Sequence, residues 1–357
     1  MNNLLCNSLY LEDVKYVATM KLPWEKLRNT QILITGASGL IGSFLVDVLM
    51  WRNKNASMNC KIYAIGRDEI IAKERFVSYL EDATFIFVKH DISYSLSGEI
   101  EFDYILHLAS NTHPIAYSTC PISTITTNVI GTDNLLKYAV EHSCKRFLFA
   151  SSNEIYGENR GDVEFFTETY CGYINCNTLR AGYPESKRCG EVLCQAYLKE
   201  KGIDVVIPRI TRTYGPTMRM SDTKVVSQFI IKAVKGEDIV LKSEGNQHFS
   251  YVYVADAVAG ILIIMLCGQC GEAYNIADGS SDIMLKDLAK IAADICQAEI
   301  VFNFPEEVEK AGYSTATKAR LDGSKLKGLG WNMKYDIYAG MERTIKILKK
   351  MYGQKGR

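Results

Sequence analysis

Tyr183 and Lys187 stand four residues apart in the run YPESK. On a helix that spacing puts both side chains on one face. An ammonium beside a phenol lowers the phenol's pKa, so Tyr183 is placed to act as acid or base near neutral pH. A second run, FASSNEIYG, sets Ser151, Ser152, Asn153 and Glu154 at the end of an apolar stretch that reads as a strand. The carboxyl edge of an open α/β sheet is where ligands bind, so these four join the tyrosine and lysine as candidates.

A third signal lies near the start of the chain. The run ITGASGLIG follows a strand and opens a helix, with Gly36, Gly39 and Gly42 in G-x-x-G-x-x-G spacing. Glycine lets the backbone approach a pyrophosphate, and the helix start supplies N–H donors and positive potential. Ser38, Leu40 and Ile41 lie in the same turn, which is expected to hold a dinucleotide. The next strand ends AIGRD, with Gly66 and Arg67 where a carboxylate would bond the adenosine ribose. Arg67 either pairs with a 2′-phosphate or is solvated at the surface, so the cofactor is NAD or NADP.

These groups need a scaffold, and the chain supplies one. From Gln31, apolar runs (QILITG, KIYAIG, TFIFVKHDI, FDYILHLAS, KRFLFASS, DVVIPRI) alternate with helical stretches. The pattern predicts an α/β fold: a doubly wound parallel sheet covered on both faces, with a smaller C-terminal substrate-binding lobe. Residues 1–30 read as a helical extension and 31–210 as the dinucleotide-binding domain. Residues 211–357 form most of the lobe, with a segment near 250–267 returning to the main sheet.

The ordered set TGASGLIG, HDI, DYILHLAS, TTNVIGTDNLL, SSNEIYG, YPESK, YGP, YVYVADA, AYNIAD and LGW resembles an extended short-chain dehydrogenase/reductase. The type is the nucleotide-sugar epimerase/dehydratase, with a Rossmann sheet, and the likeness runs from about Gln31 to Ile345. It implies that Asp91 and Ile92 flank the adenine, and that Leu108, Ala109 and Ser110 line the cofactor cleft. It also implies that Asn128 supports the site from its helix, that Ser151 lies at the cofactor, and that Ser152, Tyr183 and Lys187 are catalytic. In such enzymes the tyrosine takes the proton of a sugar hydroxyl while the nicotinamide takes the hydride. The resulting keto-sugar is then epimerised, dehydrated or decarboxylated. A homodimer built on the helix from Asn128 to His142 and the helix from Tyr183 is implied by the same likeness.

Glu154 resembles the dehydratase and decarboxylase relatives, and a carboxylate there is able to remove a proton beside the new ketone. The stretch YCGYINCNTLRAGYPESKR resembles UDP-glucuronate decarboxylases, with Asn175, Arg180 and Arg188 on shared positions. Asn153, Asn175, Arg180, Arg212 and His113 are the substrate candidates; Arg180 contacts substrate or makes a structural ion pair. Two departures stand out. Phe249 occupies the place where the family usually has an arginine that holds substrate phosphate, and Arg212 occupies a usual asparagine. Phe cannot neutralise an anion, which argues against glucuronate decarboxylation unless Arg212 restores the contact. Asn153 cannot donate a proton as the aspartate of many sugar dehydratases does.

The 41 basic and 41 acidic residues balance, which gives no basic excess for nucleic acid. The most apolar window, VAGILIIMLCG, is too short to span a bilayer. The 11 cysteines are odd in number, and the start of the chain has no apolar signal core, so a reducing, cytoplasmic setting is expected. Cys267 and Cys270 have C-x-x-C spacing but no second pair, so no metal site is expected. His107 is expected in the core or cleft, and His248 beside the phosphate. The main alternative activity is net reduction of a nucleotide-linked keto-sugar by NADPH. A non-catalytic cofactor-binding role is disfavoured by the retained Ser152, Tyr183 and Lys187.

Overall fold

The computed structural model describes residues 3–112, 117, 119–304 and 316–352. Seven short, largely apolar runs form one parallel sheet: β1 (Gln31–Thr35), β2 (Lys61–Gly66), β3 (Phe85–Lys89), β4 (Tyr104–His107), β5 (Arg146–Phe149), β7 (Val205–Ile210) and β11 (Ala273–Ile276). Their order across the sheet is β11-β7-β5-β4-β1-β2-β3, and the short β6 (Ser151–Ser152) extends the β5 side against β7. Strand order reverses between β1 and β4, which opens a crevice at their carboxyl ends.

Helices cover both faces because strands such as β1 and β4 are apolar on both sides and need burial twice. One face holds α4 (Pro121–Glu141) and α5 (Gly182–Lys201), packed through Leu135, Leu136, Ala139 and Cys194. Pro121 opens α4 at a position where no N–H is needed, and Gly202, in the left-handed region, closes α5. The other face holds α2 (Leu40–Ala56) and the apolar α7 (Val254–Cys267).

Helix α7, which lies within residues 250–267, packs on β7 and α2. The strand that joins the sheet edge is β11, paired along its length with β7. The smaller lobe contains β8 (Arg212–Tyr214), β10 (His248–Tyr253), β12 (Asp282–Met284) and β14 (Lys318–Ala319) in one sheet. Beside it lie the parallel pair β9 (Ile239–Leu241) and β13 (Ile300–Phe302), and helices α6 (Val225–Lys235), α8 (Leu285–Cys296) and α9 (Ile337–Tyr352).

The N-terminal extension is built into the core. Its helix α1 (Ser8–Ala18) is capped by Asn7, whose side-chain oxygen accepts from the N–H groups of Leu9 and Tyr10. Tyr10 donates to the buried Asp47 of α2, which also pairs with Arg75 of the short helix α3 (Glu69–Arg75). Asp13, fully buried, accepts from Tyr253 Oη at 2.6 Å and from Arg343 Nε at 2.9 Å. A buried carboxylate is tolerable only when paired in this way. Among the described residues, no helix is long and apolar enough to cross a membrane.

Candidate active site

The glycine turn leaves β1 at Gly36, which has a φ of +67°, a conformation that a side chain disfavours. A Cβ there would also lie 2.8 Å from the backbone of Ala109, so the turn after β1 and the turn after β4 touch. A Cβ at Gly42 would meet the Gly36 carbonyl at 2.4 Å, which seats α2 directly on the turn. The floor of the crevice is therefore bare backbone, which fits a pyrophosphate lying against the start of α2. Thr35 ties the two turns: its Oγ1 accepts from the Ala109 N–H at 3.1 Å and bonds His107 Nδ1 at 2.9 Å. His107 is fully buried between Thr35 and Thr132, and burial holds its pKa well below the usual value, so it is a core residue.

Ser38, Gly39, Leu40, Ile41, Gly42, Arg67, Asp91, Ile92, Leu108, Ala109, Ser110 and Ser151 all line one cleft of about 2090 Å³. Ser151 Oγ is buried there with no partner among the described residues, a polar atom left for a ligand. Arg67 is exposed and donates to Asn111 Oδ1 at 3.2 Å. Asn128 is fully buried behind the cleft wall. Its side chain accepts from Ser110 Oγ at 2.7 Å and donates to Ser186 Oγ at 2.9 Å, so it clamps the turn after β4 to α5.

The same cleft continues to Ser152, Asn153, Glu154, Tyr183 and Lys187. Tyr183 and Lys187 occupy the first turns of α5, both nearly inaccessible to solvent. Lys187 Nζ donates to the Ala150 carbonyl at 2.8 Å and sits 4.7 Å from the Phe149 ring centroid. Burial brings its pKa down to about 7. The lysine was expected to lower the phenol's pKa; instead the Tyr183 phenol is raised. Burial is the larger cause and the Glu154 carboxylate adds to it, while hydrogen bonding to Ser152 and the charge of Arg180 oppose them. A lysine close to neutrality supplies too little field to reverse that balance.

Glu154 leaves the strand in a single 3-10 turn, Asn153–Tyr156, started by the Ser152 hydroxyl accepting from the Glu154 N–H. Glu154 Oε1 accepts from Arg180 Nη2 at 2.7 Å, and Oε2 is buried without a partner. Tyr117 completes the cluster. Its ring stacks on Tyr183, with centroids 4.9 Å apart, and the Arg180 guanidinium lies over the Tyr117 ring, 5.0 Å from its centroid. The sequence reading missed Tyr117, whose run IAYSTCP has no helical or strand period to point at the site.

The remaining candidates divide. Arg212 lines the cleft with its guanidinium 3.6 Å from the Phe249 ring centroid. Asn175 does not reach the cleft: it is exposed, and its side chain accepts from the Asn177 N–H in a local turn. Arg188 donates to the carbonyls of Ile155 and Gly172, which holds the Glu154 turn against α5. His248 begins β10 and lies outside the cleft lining, and His113 falls outside the described residues. Cys267 and Cys270 are exposed around the end of α7, and no cluster of metal-ligating side chains occurs among the described residues.

The model of the NAD dependent epimerase/dehydratase family matches residues 32–277. UDP-glucuronic acid decarboxylase 6 of Arabidopsis thaliana is 35% identical over 314 residues, covering 88% of this chain and 87% of that protein. UDP-glucuronic acid decarboxylase 1 of Xenopus tropicalis is 32% identical over 345 residues, 95% of this chain and 78% of the other. Among solved structures, a dTDP-glucose 4,6-dehydratase of Streptomyces venezuelae with NAD bound superposes with a TM-score of 0.79 at 25% identity. That likeness covers 91% of this chain and 98% of the dehydratase.

Proposed function

The chain belongs to the NAD dependent epimerase/dehydratase family, and from that premise we propose that it decarboxylates a UDP-linked uronic acid by transient oxidation at C4. The enzyme class, NAD-dependent conversion of a nucleotide sugar, follows from the family. The uronic acid is supported by the decarboxylase relatives and by Glu154 standing beside Tyr183. One observation carries the reading: Ser152, Glu154, Tyr183 and Lys187 open into the same cleft as the glycine turn, so a sugar carbon there would face both a phenol and the dinucleotide.

The bare turn at Gly36 and Gly42 and the Ser151 hydroxyl would hold NAD, which would supply a reversible hydride acceptor for C4. Tyr183, a phenol at rest because burial raises its pKa, takes the C4 hydroxyl proton on Oη as it releases its own toward Lys187, and the Ser152 hydroxyl holds the same oxygen. Lys187 Nζ, close to neutrality, passes that proton onward. The 4-keto sugar is then a β-keto acid: its C5–C6 bond breaks, carbon dioxide leaves, and the electron pair forms an enolate across C4 and C5. Glu154 Oε2, the oxygen with no partner among the described residues, relays a solvent proton to C5. Arg180 fixes the Glu154 carboxylate through Oε1.

The test is incubation with UDP-glucuronate, UDP-glucose and dTDP-glucose, with products read by mass. Loss of carbon dioxide from UDP-glucuronate without net NADH is expected. Loss of water, or unchanged mass with altered NMR couplings, would replace decarboxylation by dehydration or epimerisation. Net consumption of NADPH on a keto-sugar would replace it by reduction. We also propose a cytoplasmic homodimer. Free thiols, three of them buried at Cys60, Cys144 and Cys194, support the compartment, and exposed Ile122 and Ile130 on α4 with Val192 on α5 support the interface. Sedimentation equilibrium at a monomer mass would refute the dimer.

A further inference from the structure

Arg212 is a cation without an anion. It is half-buried on β8, lines the cleft, and makes no ion pair within the described residues. Its Nη1 is buried with no hydrogen-bond partner among the described residues, although a guanidinium carries five N–H donors that burial requires to be satisfied. The acidic group that acts on it electrostatically from the cleft wall, Glu154, gives its Oε1 to Arg180. The phenol of Tyr251 is its other neighbour, a neutral group that cannot balance the charge.

The strand pairing shows why the guanidinium stands where it does. β8 and β10 are parallel, with Arg212 opposite Tyr251. Phe249 lies two residues before Tyr251 on the same face of β10, and all three side chains line the cleft. The Arg212 guanidinium spreads over the Phe249 ring at 3.6 Å. That stack fixes the plane of the fork and leaves its edge for a ligand. Phenylalanine at 249 and arginine at 212 therefore act as a unit: the ring holds flat a charge that it cannot itself carry.

We propose that Arg212, laid on Phe249, is the residue that holds an oxyanion of the substrate at the sugar end of the cleft. A planar guanidinium with a free edge recognises either a carboxylate or a phosphate by paired N–H donors. In a UDP-uronate the first is the sugar's own carboxylate and the second is the phosphate attached to the sugar. The proposal rests on the nucleotide-sugar reading above, but not on decarboxylation. It makes Arg212 and Phe249 a specificity-determining pair exchanged across neighbouring strands.

The test is equilibrium binding with NAD present, in a Tyr183→Phe background so that ligand is not consumed. UDP, UDP-glucose and UDP-glucuronate are titrated against Arg212→Gln, Arg212→Lys and the double variant Arg212→Asn/Phe249→Arg. Arg212→Gln is expected to weaken UDP-glucuronate about tenfold or more while NAD affinity is unchanged. Equal loss for all three ligands assigns the anion to phosphate, and loss for UDP-glucuronate alone assigns it to the sugar carboxylate. Arg212→Lys, which keeps the charge but loses the flat stack, is expected to fall between. The double variant puts a guanidinium back at the same spot from the other strand and is expected to recover binding to within about threefold of the parent. Unchanged affinity for all three ligands in Arg212→Gln overturns the proposal. So does a double variant that binds NAD normally yet recovers nothing. Neither readout needs turnover, so an absence of carbon dioxide release in the mass assay leaves this result separately decided.

Discussion

Replacing Lys187 by methionine is expected to make the cofactor-free protein more stable while it abolishes turnover. The lysine is almost wholly buried, and burial takes its pKa to about 7. A fall from the usual ~10.4 to about 7 corresponds to ~5 kcal/mol of cost for holding the ammonium charged in the fold. Methionine fills similar volume without a charge. Against that gain stands the loss of the 2.8 Å bond to the Ala150 carbonyl, which would cost ~1–2 kcal/mol. The net expectation at pH 6 is a variant ~3–4 kcal/mol more stable than the parent. The pH dependence follows from proton counting. Below about pH 7 the lysine is charged in both folded and unfolded chains, so the full cost is present. Between pH 7 and about 10.4 the unfolded chain binds more protons than the folded one, so the parent gains stability as pH rises. The advantage of the variant therefore shrinks toward alkaline pH and reverses once the carbonyl bond dominates. Urea unfolding of both proteins at pH 6 and pH 9.5 reads this directly. A variant less stable at pH 6, or one with the same difference at both pH values, would refute the account of Lys187 as a desolvated cation.

Three further outcomes follow from the geometry. Gly42→Ala drives a Cβ to 2.4 Å from the Gly36 carbonyl, which is backbone and cannot turn aside; NAD is expected to bind about tenfold or more weakly by fluorescence titration, and unchanged affinity would contradict the cradle. Arg180→Gln removes the cation at Glu154 Oε1 and the guanidinium over Tyr117, so kcat is expected to drop at least about tenfold with NAD affinity intact. An unaltered kcat would make that ion pair merely structural. Asp13→Ala leaves Tyr253 Oη and Arg343 Nε without their buried acceptor, with an expected loss of ~3 kcal/mol in urea unfolding. A loss below ~1 kcal/mol would mean that helix α1 contributes little to the fold.

The parts of the site that the sequence disclosed are those joined by regular geometry. The Tyr183–Lys187 spacing follows from one helical turn, and the glycine turn follows from a strand leading into a helix. The seat of Asn128 was legible as a place on a helix, but not its depth: it lies behind the wall because both halves of its amide are taken by Ser110 and Ser186. Asn175 sits in a motif shared with decarboxylases, yet an irregular segment carries it out to solvent. Tyr117 was invisible for the converse reason, since nothing in its local run points to Tyr183 and only the folded chain stacks the two rings. The pKa order of the tyrosine and lysine also escaped the sequence, because desolvation depends on enclosure and not on spacing. The pairing of Arg212 with Phe249 needed the strand register of β8 and β10.

Helix α1 bears on how the protein is to be handled. Asp13 and Tyr10 reach from it to α2, β10 and α9, all of which belong to the body of the molecule. A clone trimmed to begin at residue 32, where the family match starts, would lack this helix and expose Tyr253, Arg343 and the apolar bed on which Val14 and Val17 pack. Such a fragment would arrive as inclusion bodies, and an inactive preparation of it would say nothing about the chemistry of the cleft.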